Sequence, residues 1–284
     1  MNQDMAQFFK NNSAIPTLDA HFGPNGPPPG LMLMAGTAIA QKTAFVSQWF
    51  NVYTRYQASA LYCHYEHSDP FGPTHLKHAF GQFEETLASP IARSDDHTDH
   101  CAYYCVNHEP PVSFTLVAQQ LPDFRRALRR HQRSDVGLVI FDTLLQALHP
   151  GYQSGAKIEP AFIQKVHQWA LDNDLFVLGT MDLHLPARQG ATPPGDDFLD
   201  NTLASYLPLC LGAYVLELDR PKLTRFDNIE PMTMRYLDKN WKAKPPIRVD
   251  VFFNHQRRWF TDADSRNNQV QRLQLRKLAM SEQA

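Results

Sequence analysis

The sequence predicts an α/β fold: a mainly parallel sheet, helices on both faces, and an antiparallel closing hairpin. Three observations predict it. Short apolar runs alternate with longer amphipathic stretches, which is the pattern of crossover units. The first apolar run, LMLM, delivers the chain into a small-residue loop that opens into a helix. The last two apolar runs are separated by a Pro-Pro turn, which suits antiparallel neighbours.

Residues 1–14 are polar and read as an arm. The segment 23–30, GPNGPPPG, can continue neither a helix nor an internal strand, so it is a rigid lead-in. Strands are expected at 31–34, 60–64, 102–106, 136–141, 176–180 and 213–218. Helices are expected at 42–53, 73–87, 114–132, 160–172 and 200–207. The closing pair falls at 232–237 and 248–255. Residues 263–284 form a polar, basic tail. There is no internal repeat and no linker long enough to divide the chain, so one domain is expected over 15–262.

At 284 residues and 43% hydrophobic, the chain can bury a substantial core. A net charge of −2 advertises no bulk affinity for nucleic acid or membrane, so any such surface is local. Four cysteines without a short-spaced framework fit a reducing compartment. The N-terminus has no apolar signal core, and no run reaches the ~18–20 apolar residues that cross a bilayer. A cytoplasmic protein with no membrane contact is expected.

The chemistry concentrates where apolar runs end. In LMLMAGTAIAQKTAF, Gly36, Lys42 and Thr43 take the G, K and T positions of G-x-x-x-x-G-K-[ST]. Such a loop offers backbone N–H groups, a lysine and a hydroxyl to phosphates. The second glycine is replaced by Gln41. ALYCHYEHS places Glu66 just past an apolar run, where ligands of open α/β sheets sit. GLVIFDTLLQ places Asp142 after four apolar residues, the arrangement of an acid that reaches Mg²⁺ through water. FVLGTMDLH puts polar residues, Asp182 among them, at the end of another buried run. MRYLDKNWKAKPP sets Lys239, Lys242 and Lys244 at a hairpin.

Taken in order, these segments resemble the RecA-like motor domain of DnaB-type replicative helicases, with the KaiC and plasmid RepA ATPases behind it. IPTLDAHFGPNGPPPGLML is similar to the family's lead-in, HYEHS to its S-L-E-M-S segment, and LVIFDTLLQ to its Walker B strand. Residues 200–220 resemble its following helix and strand, and MRYLDKNWKAKPPIRVDVFFNHQRRWF its closing hairpin. The likeness covers roughly residues 15–260. It implies ATP and Mg²⁺ on Gly36, Thr37, Ala38, Ile39, Ala40, Gln41, Lys42 and Thr43. It also implies Mg²⁺ held by Thr43 and Asp142, and a water oriented by Glu66. Lys239 and Lys244 would reach the nucleotide of a neighbouring subunit in a ring, a hexamer by resemblance. Single-stranded DNA and replication or mobile-element proteins are the implied partners.

Three departures accompany the match. Gln41 carries a Cβ where the loop curls around the β-phosphate. Asp182 stands where the family has a γ-phosphate-sensing glutamine, and a carboxylate repels phosphate. Trp241 stands where the hairpin would supply an arginine finger, a group that accounts for about 10³–10⁵ in rate where measured. Two functions follow. One is a helicase-type ATPase with weakened hydrolysis. The other is a pseudo-ATPase kept as an assembly or adaptor module.

Two further clusters carry less. His97, His100, Cys101, Cys105 and His108 invite a zinc reading, but the spacing matches no standard finger and AYYCV alternates like a strand. In DFRRALRRHQR, Arg125, Arg129 and Arg133 share a helical face with Arg126 and Arg130 beside them, a surface suited to a subunit or partner contact.

Overall fold

The structure is a computed structural model that describes residues 15–22, 26–36, 41–55, 59–64, 83–84, 93–94, 101–104, 113–130, 134–148, 158–183, 203–218, 229–240, 247–255 and 259–262. Its centre is strand β1 (Gly30–Gly36), buried at every position. A strand whose two faces are both covered needs apolar residues throughout, and LMLMA supplies them. Leu31, Leu33 and Ala35 face one core, and Met32 and Met34 the other.

Around β1 lie β2 (Ser59–His64), β3 (Phe83–Glu84), β4 (Arg93–Ser94), β5 (Cys101–Tyr104), β6 (Val136–Asp142), β7 (Phe176–Asp182) and β8 (Gly212–Leu218). The chain closes with β9 (Ile229–Asp238), β10 (Ile247–Asn254) and β11 (Trp259–Asp262). Nine strands form one sheet in the order β11-β10-β9-β8-β1-β7-β6-β2-β5, and β3 pairs with β4 apart from it. Strands β5, β2, β6, β7, β1 and β8 are parallel, while β8-β9-β10-β11 alternate in direction.

The helices divide between the two faces. On one side, α1 (Pro16–Phe22) and α2 (Lys42–Arg55) pack Leu18, Phe45, Val46, Trp49 and Phe50 against Met32, Met34 and Tyr62. On the other lie α3 (Phe114–Arg130), the short α4 (Leu144–Leu148) and α5 (Pro160–Asp172), through Phe114, Val117, Leu144, Ile163 and Val166. Trp49 is 1% exposed among aromatic neighbours, so truncation to Ala would cost about 3–5 kcal/mol.

Sheet and helices follow the sequence pattern closely, with four corrections. Residues 83–84, expected within a helix over 73–87, are a strand. The helix expected at 200–207 is a turn and a single 3₁₀ turn, Leu207–Leu209, because Pro208 and Cys210-Leu211-Gly212 stop it. The short helices α1 and α4 lie where the pattern places no helix. Strand β11 is likewise additional, its four residues being too few to show a period.

Strand β11 would otherwise present an unpaired edge. The Gln48 side chain of α2 closes it: its Nε2 donates to the Phe260 carbonyl at 3.1 Å and its Oε1 accepts from the Phe260 N–H at 2.6 Å. Asp262 caps α1, accepting from the Thr17 N–H at 3.3 Å and hydroxyl at 3.0 Å. No helix among the described residues is long and apolar enough to cross a membrane.

Candidate nucleotide site

Parallel strands bring their C-terminal ends to one edge, where side chains from distant sequence meet. Gly36 pairs in register with Asp182 on one side and Leu216 on the other, and His64 pairs with Asp142. The residues that end β1, β6 and β7 are thus neighbours. Helix α2 begins at this edge and carries Lys42 and Thr43 in its first turn.

Lys42 is 6% exposed, and its Nζ lies 2.7 Å from Asp182 Oδ1, whereas the Asp182 side chain is 45% exposed. A nearly buried ammonium is costly unless an anion or strong acceptor meets it, and here a carboxylate from the chain itself does so. Gln41, just before the helix, has φ 54°, in the left-handed region, and its carbonyl accepts from the Phe45 N–H at 3.1 Å. The conformation that favours glycine is therefore kept at this position, though the residue is glutamine.

Asp142 is 1% exposed and is gripped from both sides. Tyr62 on β2 donates to Oδ2 at 2.9 Å, and Thr180 on β7 donates to Oδ1 at 2.6 Å. Ser47 of α2 lies 3.3 Å from the Tyr62 hydroxyl. Reading the motifs in order misses Ser47, Tyr62 and Thr180. The available signal is a hydroxyl residue inside each of three apolar stretches: AFVSQWF, ALYCH and VLGTMD.

Lys239 is exposed and follows Asp238, which pairs with Gly212; Gly212 pairs in turn with Met32. It therefore lies at the N-terminal edge of the sheet. Four residues separate that level from Gly36, about 13 Å at the rise of a strand. Lys239 is too far away to serve its own chain's loop. Thr37, Ala38, Ile39, Ala40, Glu66, Trp241, Lys242 and Lys244 lie outside the described residues. So do His97, His100, Cys105, His108 and Arg133.

The arginine face is not the open surface expected. Arg125 turns inward, donating to the Asn173 carbonyl at 2.6 Å and lying 3.1 Å from Asp135, and Arg126 pairs with Asp123 at 2.9 Å. Arg129 and Arg130 are exposed. Among the described residues, no group of three or more His, Cys, Asp or Glu side chains could hold a metal ion.

This architecture defines a class: a RecA-like ATPase-type α/β domain, with its charged side chains gathered at the C-terminal edge beside the helix that follows β1. A solved structure of the ATPase domain of a DnaB-like helicase matches it with a TM-score of 0.57 at 14% identity, over 89% of this chain and 92% of that one. In all, 465 solved chains match, so the fold is a common one and does not by itself specify an activity. No protein-family model and no curated protein sequence matches the chain.

The residues present fit a magnesium–nucleotide group, with one conflict. Lys42 and Thr43 stand at a helix start beside the left-handed Gln41, and Asp142 is a charged-type side chain in an apolar interior. The conflict is Asp182, whose carboxylate already meets the ammonium that a phosphate would use.

Proposed function

We propose that the protein is a DnaB/RepA-like ATPase acting in DNA replication or recombination. In this reading it works in the cytoplasm as a ring, a hexamer by resemblance, on single-stranded DNA and beside replication or mobile-element proteins. ATP occupies the loop from Gly36 through Thr37, Ala38, Ile39, Ala40 and Gln41 to Thr43. Lys42 binds the β- and γ-phosphates, Thr43 and Asp142 hold Mg²⁺, and Glu66 orients the water. Bound Mg²⁺ supplies neutralisation of phosphate charge. Lys239 and Lys244 serve a neighbour's nucleotide, which agrees with the position of Lys239 at the far edge of its own sheet.

The observation that carries this reading is the placement of Lys42, Asp142 and Asp182 around the end of β1, with Gln41 in the backbone conformation of the missing glycine. A second reading, a pseudo-ATPase serving as an adaptor, is favoured by the Lys42–Asp182 pair: the chain supplies its own anion where a nucleotide would supply phosphate. Calorimetric nucleotide binding, together with steady-state ATPase with and without single-stranded DNA, separates the two. DNA-stimulated hydrolysis lost in Lys42→Ala establishes the motor. Nucleotide binding without hydrolysis establishes the adaptor. No binding at all removes the nucleotide reading.

A further inference from the structure

Three buried hydroxyls have no part in the reading above, yet they meet at its acid. Strand β6 lies between β2 and β7, and each neighbour sends one hydroxyl to a different oxygen of Asp142: Tyr62 to Oδ2 at 2.9 Å and Thr180 to Oδ1 at 2.6 Å. The phenol has one hydrogen, and Asp142 takes it. The contact at 3.3 Å therefore runs from the Ser47 hydroxyl to the Tyr62 oxygen. Ser47, Tyr62, Thr180 and Asp142 are each 4% exposed or less.

Two donors on two oxygens, approaching from opposite sides, hold the carboxylate against rotation about Cβ–Cγ. The far end of this relay sits on α2, four residues beyond Thr43 and so on the same helical face. A carboxylate in a dry interior costs stability that an apolar residue would not, even when its hydrogen bonds are met. The fold keeps it, and keeps it fixed in orientation relative to the helix that starts at Lys42.

We infer that Tyr62, backed by Ser47, is a positioning residue that sets the orientation of Asp142 and through it the Mg²⁺ dependence of nucleotide binding. This rests on the nucleotide reading. The measure is ADP affinity by calorimetry in Mg²⁺ and in EDTA, whose ratio reports metal coupling. Removing a group that orients a metal ligand typically costs 10–100-fold in metal affinity. Tyr62→Phe keeps the ring and removes the relay, so its ratio falls about tenfold, while affinity in EDTA stays within about twofold. Ser47→Ala leaves the phenol on Asp142 and lowers the ratio less, by about threefold, which keeps the test available if Tyr62→Phe folds poorly.

Direct Mn²⁺ titration in the presence of ADP, read by electron paramagnetic resonance, follows the same order. A wild-type ratio in both variants, even with a lowered melting temperature, overturns the positioning role and leaves the nucleotide reading standing. A wild-type protein with no nucleotide binding, or with binding indifferent to Mg²⁺, overturns the nucleotide or metal reading and the positioning role with it.

Discussion

The two edges of the parallel sheet use their polar side chains differently. At the N-terminal edge these groups are spent on the backbone. His167 Nδ1 accepts from the Leu31 N–H at 3.0 Å, Asp135 accepts from the Val136 N–H at 2.8 Å, Ser59 donates to the Ser134 carbonyl at 2.7 Å, and Arg125 donates to the Asn173 carbonyl. At the C-terminal edge the polar side chains meet one another instead, as Lys42 with Asp182 and Asp142 with Tyr62 and Thr180. A group bonded to backbone holds a strand in place. One bonded to another side chain can change partner when a ligand arrives. The first edge is built to stay, the second to exchange.

The sharpest break in this contrast is Asp142→Ala. It leaves the Tyr62 and Thr180 hydroxyls buried without their acceptor, and each orphaned group costs about 1–3 kcal/mol. Urea denaturation should show a loss of about 2–4 kcal/mol. A loss near zero would mean that water reaches this edge and the network is not closed.

The Lys42–Asp182 pair should behave differently, because Asp182 is 45% exposed and solvent screens it. Asp182→Asn removes the anion that competes with phosphate for Lys42. The expected result is about tenfold tighter binding of tripolyphosphate or MgATP, a gain of about 1.4 kcal/mol, with little change in unfolding free energy. Unchanged affinity would mean that Asp182 swings aside without cost and exerts no control over the site.

The sequence was more informative about one edge than the other. Parallel strands at 31–34, 136–141 and 176–180 are legible because both faces are buried and the runs are continuously apolar. Lys42, Asp142 and Asp182 are legible because each follows such a run. The hydroxyl clamp on Asp142 is not, since Tyr62 and Thr180 look like ordinary strand residues until the sheet order places them on either side of it. Nor is the role of Arg125: helical periodicity puts it on a basic face, but the turn at Asn173 offers a carbonyl 48 residues away.

The N-terminal edge has its own test. Burial lowers the His167 pKa from its usual value, and Nδ1 accepts a hydrogen bond only while it is unprotonated. The unfolded chain therefore binds the proton more readily. The contribution is complete above about pH 6.5 and is lost as pH falls below that toward the folded pKa. Wild type should lose about 1 kcal/mol between pH 7.5 and 5 that His167→Ala does not lose, the worth of one net hydrogen bond. Gly30, with φ 136°, sets the close approach: a Cβ there would lie 2.7 Å from His167 Cε1. Equal pH profiles for the two proteins would leave this strand start without a titrating clamp.

The smallest effect is the one that bears most directly on whether the exchangeable edge has a damaged loop. A left-handed residue with a Cβ costs about 1–2 kcal/mol, whereas glycine gives back about 0.5–1 kcal/mol through the greater freedom of its unfolded state. Gln41 holds φ 54°, so Gln41→Gly should stabilise the fold by about 0.5–1 kcal/mol in urea denaturation. If the side chain also crowds the phosphates, nucleotide affinity or turnover rises in the same variant. Added stability with unchanged affinity would assign the whole handicap to Asp182. Lost stability would mean that the glutamine side chain makes contacts worth more than the strain it carries.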